Sequence, residues 1–194
     1  MPVPIEEWML AAASSPWVYL LTAALIIADA FLVIVPSETI VVALGSLALS
    51  SGTPSLWLLV PVAAASAVLG DSLCYLIGRR IGTGWIRHDR LARAVEFARV
   101  TLSRRAASVI LTARYVPFAR IAVNLAAGAT GFPYRRFLPL SLVAGIGWAL
   151  FNVFVGASFG ALFPGQPLLG VVLAVLVAIG LGVLIDVVVA RVSR

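Results

Sequence analysis

Long apolar stretches, broken by single charged side chains, constrain this chain more than any other feature of its sequence. Only 11% of its 194 residues are charged and its mean hydropathy is +1.09, whereas about a quarter of an ordinary soluble domain is charged. Each crossing of a bilayer takes about 20 apolar residues. The sequence therefore predicts one small all-α integral membrane domain that covers residues 1–194.

The lengths of the apolar stretches predict which of them cross the membrane. Three stretches are long enough to span it: 54–78, 137–163 and 168–189. Two others are interrupted near the middle by proline and charged residues: 16–51 and 106–132. Irregular backbone at membrane depth is tolerated where protein or a water-filled cavity surrounds it. These two stretches are therefore predicted to be re-entrant helical hairpins, the first with its tip near residues 35–38.

The positions of the arginines predict the topology. All 14 basic residues are arginine, and eight of them lie between Arg79 and Arg105. Basic residues collect on the cytoplasmic side of a membrane protein. This places the basic loops and the C-terminus in the cytoplasm, with the N-terminus and the turn near Pro164 outside. The high isoelectric point is explained by topology and not by nucleic-acid binding.

Within the basic segment, one helix face is apolar. The apolar residues recur at helical spacing: Leu91, Val95, Ala98 and Leu102. Arginines lie opposite them: Arg90, Arg93 and Arg104. The pattern predicts a cytoplasmic amphipathic helix over 87–105 on the membrane surface. With about three full spans, the two hairpins then enter from opposite sides, which predicts an inverted repeat with a substrate site where the broken helices meet.

Six charged residues lie inside apolar stretches: Asp29, Glu38, Asp71, Arg114, Arg120 and Asp186. A charge at the bilayer centre costs about 2.5 to 3.5 kcal/mol on insertion scales, so such residues pair with one another or line water. Asp186 lies close to the C-terminal arginines and is interpreted as interfacial. The other five are the candidate functional residues.

Arg114 and Arg120 flank Pro117 in the second predicted hairpin. In a continuous helix the two side chains diverge, but a break at the proline allows both to converge near the tip. The planar guanidinium suits phosphate or carboxylate. Either the pair binds an anion directly, or it neutralises Asp29 and Glu38, and the two interpretations are compatible.

The helix around Asp71 also has two interpretations. Asp71, Tyr75 and Arg79 share one face at steps of four residues. A stripe of small residues lies beside them: Gly70, Cys74 and Gly78. Either the stripe packs closely and Asp71 pairs with Arg79 at the membrane edge, or Asp71 faces a cavity. A second stripe is interpreted as helix packing: Trp148, Asn152, Gly156 and Gly160.

The chain offers little material for catalysis or for a metal site. His88 is the single histidine and lies in the basic loop, and Cys74 is the single cysteine. Neither a nucleophile with its base nor a set of metal ligands can be assembled from these residues. We therefore expect no enzymatic activity, no metal and no cofactor.

Three groups of these residues resemble the motifs of the DedA family, also called the SNARE-associated or VTT family. They are Asp29 with Pro36-Ser37-Glu38; Gly70-Asp71 followed by Tyr75 and Gly78-Arg79; and Arg114-Tyr115-x-Pro117-x2-Arg120 leading to Gly128. Three positions differ from the family pattern: Asp29 replaces the usual glutamate, and Ile34 and Asn124 each replace a proline.

The resemblance implies a proton-motive-force-linked membrane transporter with two opposed hairpins. Some bacterial members return the lipid carrier undecaprenyl phosphate across the cytoplasmic membrane. By this resemblance Arg114 and Arg120 bind the anionic head group, and Asp29, Glu38 and Asp71 are proton-coupling or gating carboxylates. The remaining motif residues are structural: Pro36, Gly70, Tyr75, Gly78, Arg79, Pro117, Asn124 and Gly128.

The leading hypothesis is therefore a multi-pass transporter or flippase of the bacterial inner membrane. Its partners are an anionic lipid phosphate and protons, with sodium as the alternative ion and a homo-oligomer as an alternative assembly. Two other functions are kept: transport of a small ion or oxyanion, and a non-transporting role in envelope maintenance or assembly.

Overall fold

The computed structural model describes the backbone of residues 5–32, 37–83, 89–114 and 117–192, and the side chains of residues 7–32, 37–83, 96–114 and 118–180. The regular structure in these ranges is entirely α-helical. Eight helices follow one another: α1 (Ile5–Ser14), α2 (Trp17–Asp29), α3 (Ser37–Ser51), α4 (Leu56–Ile81), α5 (Asp89–Ala113), α6 (Pro117–Ala129), α7 (Tyr134–Leu162) and α8 (Pro167–Val192).

Two helices in the described part are long and apolar enough to cross a membrane, α4 with 26 residues and α7 with 29. α4 begins two residues inside the predicted span 54–78 and ends three residues beyond it, where Gly82 adopts a positive φ of 62°. α7 begins three residues before the predicted span 137–163 and ends one residue short of it. The predicted span 168–189 lies within α8, whose side chains are described only as far as Gly180. The prediction of an all-helical membrane protein is confirmed.

A further candidate span comes from α1 and α2 taken together, because neither helix, with 10 and 13 residues, is long enough by itself. The chain bends by 87° between them. No helix was predicted at α1 from the sequence. Exposed Trp8 lies on α1, and exposed Trp17 begins α2.

The helices of the two interrupted stretches are short. α2 and α6 have 13 residues each and α3 has 15. At 1.5 Å per residue they reach about 20 to 23 Å, whereas the hydrocarbon core of a bilayer is about 30 Å thick. The predicted tip residues Val35 and Pro36 lie outside the described residues.

The first half of the chain holds α1 to α4 and the second half holds α5 to α8. The short helix α3 packs against the long helix α7 of the second half, and the short helix α6 packs against the long helix α4 of the first half. Glycine permits both close crossings. A Cβ atom at Gly156 would overlap the backbone oxygen of Val42, and one at Gly128 would overlap the backbone oxygen of Tyr75. In both crossings, therefore, a glycine allows the two helix backbones to be in direct contact.

The long helices α4 and α7 share a sequence pattern that the sequence analysis overlooked. Pro61, Gly78 and Gly82 recur 78 positions later. Their counterparts are Pro139, Gly156 and Gly160. Each proline occupies the sixth position of its helix, and Gly78 and Gly156 occupy the crossings with α6 and α3. The pattern and the reciprocal packing thus relate the two halves of the chain.

The basic segment folds as the first part of α5, which is kinked at Arg105, where φ is −140° and ψ is 40°. The predicted amphipathic helix ended at the same residue. Leu102 lies on the apolar face, as its spacing predicted, but it does not face the membrane surface: it is 2% exposed and packs inside the protein. Phe97, in contrast, is 73% exposed. Helical spacing does not distinguish burial in protein from burial in lipid.

The two ends of the bundle differ in composition. Trp57 begins α4 and is 90% exposed, and the backbone N–H of Ser55 donates to the hydroxyl of Tyr19 near the start of α2. Tryptophan prefers the membrane–water interface. The opposite end carries exposed arginines at the end of α4, the kink of α5 and the start of α7: Arg79, Arg80, Arg104, Arg105, Arg135 and Arg136.

Candidate functional site

Asp71 lies buried in the second half of α4 and accepts three hydrogen bonds from three other helical segments. Nη1 of Arg114, at the end of α5, lies 2.6 Å from Oδ2. The hydroxyl of Ser141 on α7 lies 2.9 Å from the same oxygen, and Nδ2 of Asn124 on α6 lies 2.9 Å from Oδ1. Each hydrogen bond to the charged carboxylate compensates part of its lost hydration.

Asp29, the last residue of α2, forms a second buried ion pair. Nη2 of Arg120 lies 3.0 Å from Oδ2 of Asp29 and 2.8 Å from its backbone oxygen. Ser37, the first residue of α3, donates to Oδ2 over 2.7 Å. One carboxylate therefore joins both arms of the first interrupted stretch to α6 of the second.

The two ion pairs are neighbours. Cys74, one helical turn beyond Asp71, donates from Sγ to the backbone oxygen of Ala30 over 3.0 Å. Ala30 directly follows Asp29 and also lies against Gly70, where a Cβ atom would come within 2.7 Å of the Ala30 Cβ. The end of α2 thus packs on the segment of α4 that carries Asp71. Two aspartates and two arginines form one buried cluster.

Three nitrogens of the cluster have no hydrogen-bond partner among the described residues although they are buried: Nε and Nη2 of Arg114, and Nε of Arg120. Nε–H and one N–H of Nη2 lie on the same edge of a guanidinium and point in parallel directions. That edge binds carboxylate or phosphate through two hydrogen bonds. A buried donor without a partner costs about 1–3 kcal/mol, more for a charged group, so an anion bound here is favoured.

The other predicted residues are placed as follows. Glu38 lies in the first turn of α3, is exposed, and takes part in no ion pair among the described side chains. The expectation that the arginines neutralise Glu38 together with Asp29 is met only for Asp29, because Arg114 instead pairs with Asp71. The backbone of Pro117 begins α6, and Pro36 lies outside the described residues.

The stripe of small residues packs closely at Gly70 and Gly78, as one interpretation of this helix predicted, but the pairing of Arg79 with Asp71 that it included is wrong. Arg79 donates to the hydroxyl of Tyr75, and this hydroxyl donates to the backbone oxygen of Phe132. Two helical turns separate Arg79 from Asp71, and the carboxylate points to the other helices. Gly78 and Gly128 lie at the crossing of α4 and α6, where a Cβ on either would overlap backbone atoms of the other helix.

Three residues of the site were given no role in it from the sequence, although Ser37 was part of the Pro36-Ser37-Glu38 motif. Ser37 and Ser141 are hydrogen-bonded to the two aspartates, and Trp148 covers the guanidinium of Arg114, with Cζ 5.1 Å from the ring centroid. Trp148 was assigned to helix packing alone. Ser141 is an isolated polar residue in an apolar segment, which was the available signal, and its partner becomes evident only in three dimensions.

The fold and the buried charge cluster define a class: helical membrane proteins with paired charges at membrane depth. Residues 35–158 match the VTT domain family. The chain therefore belongs to this family, and the resemblance to DedA proteins is confirmed.

Three relatives illustrate the range of similarity. A membrane protein of Mycobacterium leprae is 35% identical over 120 residues, which cover 59% of this chain and 53% of the relative. Undecaprenyl phosphate transporter A of Bacillus subtilis is 26% identical over 135 residues, 66% of this chain and 67% of that protein. Protein DedA of Escherichia coli is 24% identical over 165 residues, covering 79% of this chain and 74% of the relative.

The match spans 53% of the Mycobacterium leprae protein, and a match to a membrane protein of Mycobacterium tuberculosis spans 59% of that relative. No solved structure matches the chain significantly. Several relatives are described as membrane proteins, and the Bacillus relative is named as a transporter. The described part of this chain has helices long and apolar enough to span a bilayer.

Proposed function

We propose that this protein transports an anionic lipid carrier such as undecaprenyl phosphate across the bacterial cytoplasmic membrane, driven by the proton-motive force. The observation that carries the proposal is the unpaired edge of Arg114, two buried guanidinium nitrogens without a partner among the described residues. Asp71 binds the remaining nitrogen, which leaves these two donors for a second anion. The Bacillus relative is named for transport of this lipid.

The packing supports an architecture of two opposed re-entrant hairpins. α2, α3 and α6 are too short to span about 30 Å of hydrocarbon, and each hairpin places its second helix on the long helix of the other half. Inverted repeats of transporters place the substrate between such halves. The two ion pairs lie at this junction, since Arg120 and Arg114 of one half bind Asp29 and Asp71 of the other.

Proton coupling is assigned to the carboxylates. Asp29 and Asp71 are the counterions of the two arginines, so adding a proton to either removes a negative charge beside an arginine and strengthens the attraction of that arginine for an anion. Glu38 is exposed at the start of α3 and carries no partner among the described side chains, which leaves it accessible to protons. We therefore assign proton exchange first to Glu38, with Asp29 and Asp71 as the groups that respond.

The experiment is reconstitution into liposomes that contain labelled undecaprenyl phosphate, with an imposed pH gradient and, separately, an imposed sodium gradient. Acceleration of lipid translocation by the pH gradient supports the proposal. Uptake of inorganic phosphate without lipid translocation indicates a small-oxyanion transporter. No transport of either probe by folded protein favours the role in envelope maintenance or assembly.

A further inference from the structure

Trp148 lies against the part of Arg114 that the proposed function requires. It is 3% exposed on α7, and Arg114 at the end of α5 is 4% exposed. The guanidinium Cζ lies 5.1 Å from the centroid of the indole ring. This is within the range of a cation–π interaction, which is strongest for tryptophan and for desolvated cations.

One hydrogen bond does not fix a guanidinium. Arg114 is bound to Asp71 through Nη1, and a planar group held at one nitrogen can rotate about that contact. An aromatic ring restricts this rotation because it attracts the cation to its face. We propose that Trp148 is a positioning residue of the anion site: with Asp71, it holds the Arg114 guanidinium so that the unpaired Nε and Nη2 donors are aligned for the substrate. This inference rests on the proposed function.

The ring itself is well anchored. Trp148 belongs to a buried core built by α2, α3, α4 and α7, which includes Ile26, Val41 and Ala67. One turn later, Nδ2 of Asn152 donates to the backbone oxygen of Trp148 over 2.9 Å. Because the face of an aromatic ring carries partial negative charge, it also repels an anion. A bound anion is therefore directed to the unpaired edge of Arg114.

Fluorinated tryptophan tests this role with little change of shape. Four other tryptophans are first replaced by phenylalanine: Trp8, Trp17, Trp57 and Trp85. Mono-, di- and trifluorotryptophan are then incorporated at Trp148, which weakens the cation–π interaction in steps. The probe is radiolabelled farnesyl phosphate, with neutral farnesol as its control, and the measurement is the dissociation constant in detergent.

We expect each fluorine to weaken binding of farnesyl phosphate, with a total loss of roughly 3- to 30-fold, and to leave the elution volume and unfolding temperature unchanged. Trp148→Phe keeps an aromatic face and loses less affinity than Trp148→Leu. These two substitutions and their matched control, Trp57→Leu, are made in the protein with its other tryptophans intact, and Trp57→Leu, which removes an exposed tryptophan, leaves the affinity unchanged.

Two results overturn the inference in different ways. If the fluorinated proteins bind as tightly as the parent while Arg114→Lys binds weakly, the anion site is correct and Trp148 only packs. If the parent protein does not distinguish farnesyl phosphate from farnesol, the lipid-phosphate function fails, and the role of Trp148 fails with it.

Discussion

Nη1 of Arg114 and Oδ2 of Asp71 lie 2.6 Å apart inside the bundle, and Ser141 donates to the same oxygen. The pair links the second interrupted stretch to a long helix of the first half. Both side chains are almost fully removed from solvent. If one of them is replaced by a neutral residue, the charge that remains is therefore neither paired nor hydrated. Removing one member is costly, whereas removing both is less so.

A double-mutant cycle measures this dependence. Asp71→Asn leaves Arg114 charged and buried, and we expect it to reduce the free energy of unfolding by roughly 3–5 kcal/mol. Asp71→Asn with Arg114→Gln removes both charges and recovers part of the loss. Thermal unfolding in detergent measures both.

The surface pair of Arg99 and Glu96 provides the control for this cycle. Arg99 donates two hydrogen bonds to Glu96, which lowers the pKa of that carboxyl group, and both side chains are exposed. Glu96→Gln should leave the unfolding temperature unchanged. A double variant at Asp71 and Arg114 no more stable than Asp71→Asn would mean that the two charges are not coupled.

The glycine crossings should tolerate no side chain. Gly128→Ala places a Cβ against the backbone oxygen of Tyr75, so α6 and α4 must separate, and we expect a loss of about 1–3 kcal/mol in stability. Gly180→Ala on α8 is the matched control, because no atom of the described residues lies within 4 Å of its Cβ position. Equal unfolding temperatures for the two variants would contradict the close crossing.

Topology follows from the tryptophan end and the arginine end of the bundle. Ser103, before the kink of α5, and Gln166, in the turn before α8, are both exposed. Cysteines introduced at these positions, in a background with Cys74→Ala, should react with impermeant maleimide from opposite sides of the membrane, Gln166→Cys from outside. Labelling of both from the same side would exclude the proposed arrangement.

The charges of the site could be predicted from sequence because burying a charge in a membrane is expensive, and few residues do so without a partner or a function. Asp29, Asp71, Arg114 and Arg120 were found in this way. Their pairing could not be predicted. Arg114 binds Asp71 and not Glu38. This choice depends on how the helices pack around α4, which the sequence does not specify.

The uncharged members of the site gave a weaker signal. Trp148 and Ser141 are common residue types in membrane helices, and helical spacing predicts a face but not the neighbour on that face. The same limit explains Leu102, whose apolar stripe was recognised although its burial inside the protein was not. Short helices were predictable from the interruptions at Pro36 and Pro117, since proline disfavours a continuous helix.

Glu38→Gln should remove the response of transport to a pH gradient. The substitution keeps the size of the side chain and fixes its charge at zero, and since Glu38 is exposed at the start of α3 the fold should be retained. Translocation by the parent protein should accelerate when a pH gradient is imposed, and translocation by Glu38→Gln should not. A variant that still follows the gradient would transfer the proton role to Asp29 or Asp71.

The most direct test of the account is translocation of labelled undecaprenyl phosphate by liposomes containing the parent protein, Arg114→Lys or Arg120→Lys. Lysine keeps the charge but lacks the planar set of donors, of which two are unpaired on Arg114 and one on Arg120. We therefore expect about a tenfold or greater loss of rate, consistent with loss of a charged hydrogen bond. Arg99→Lys, on the exposed face of α5, should transport like the parent. Parental rates for both Arg114→Lys and Arg120→Lys, with Arg114→Ala and Arg120→Ala inactive, would show that the arginines serve only as counterions and would contradict direct binding of the head group.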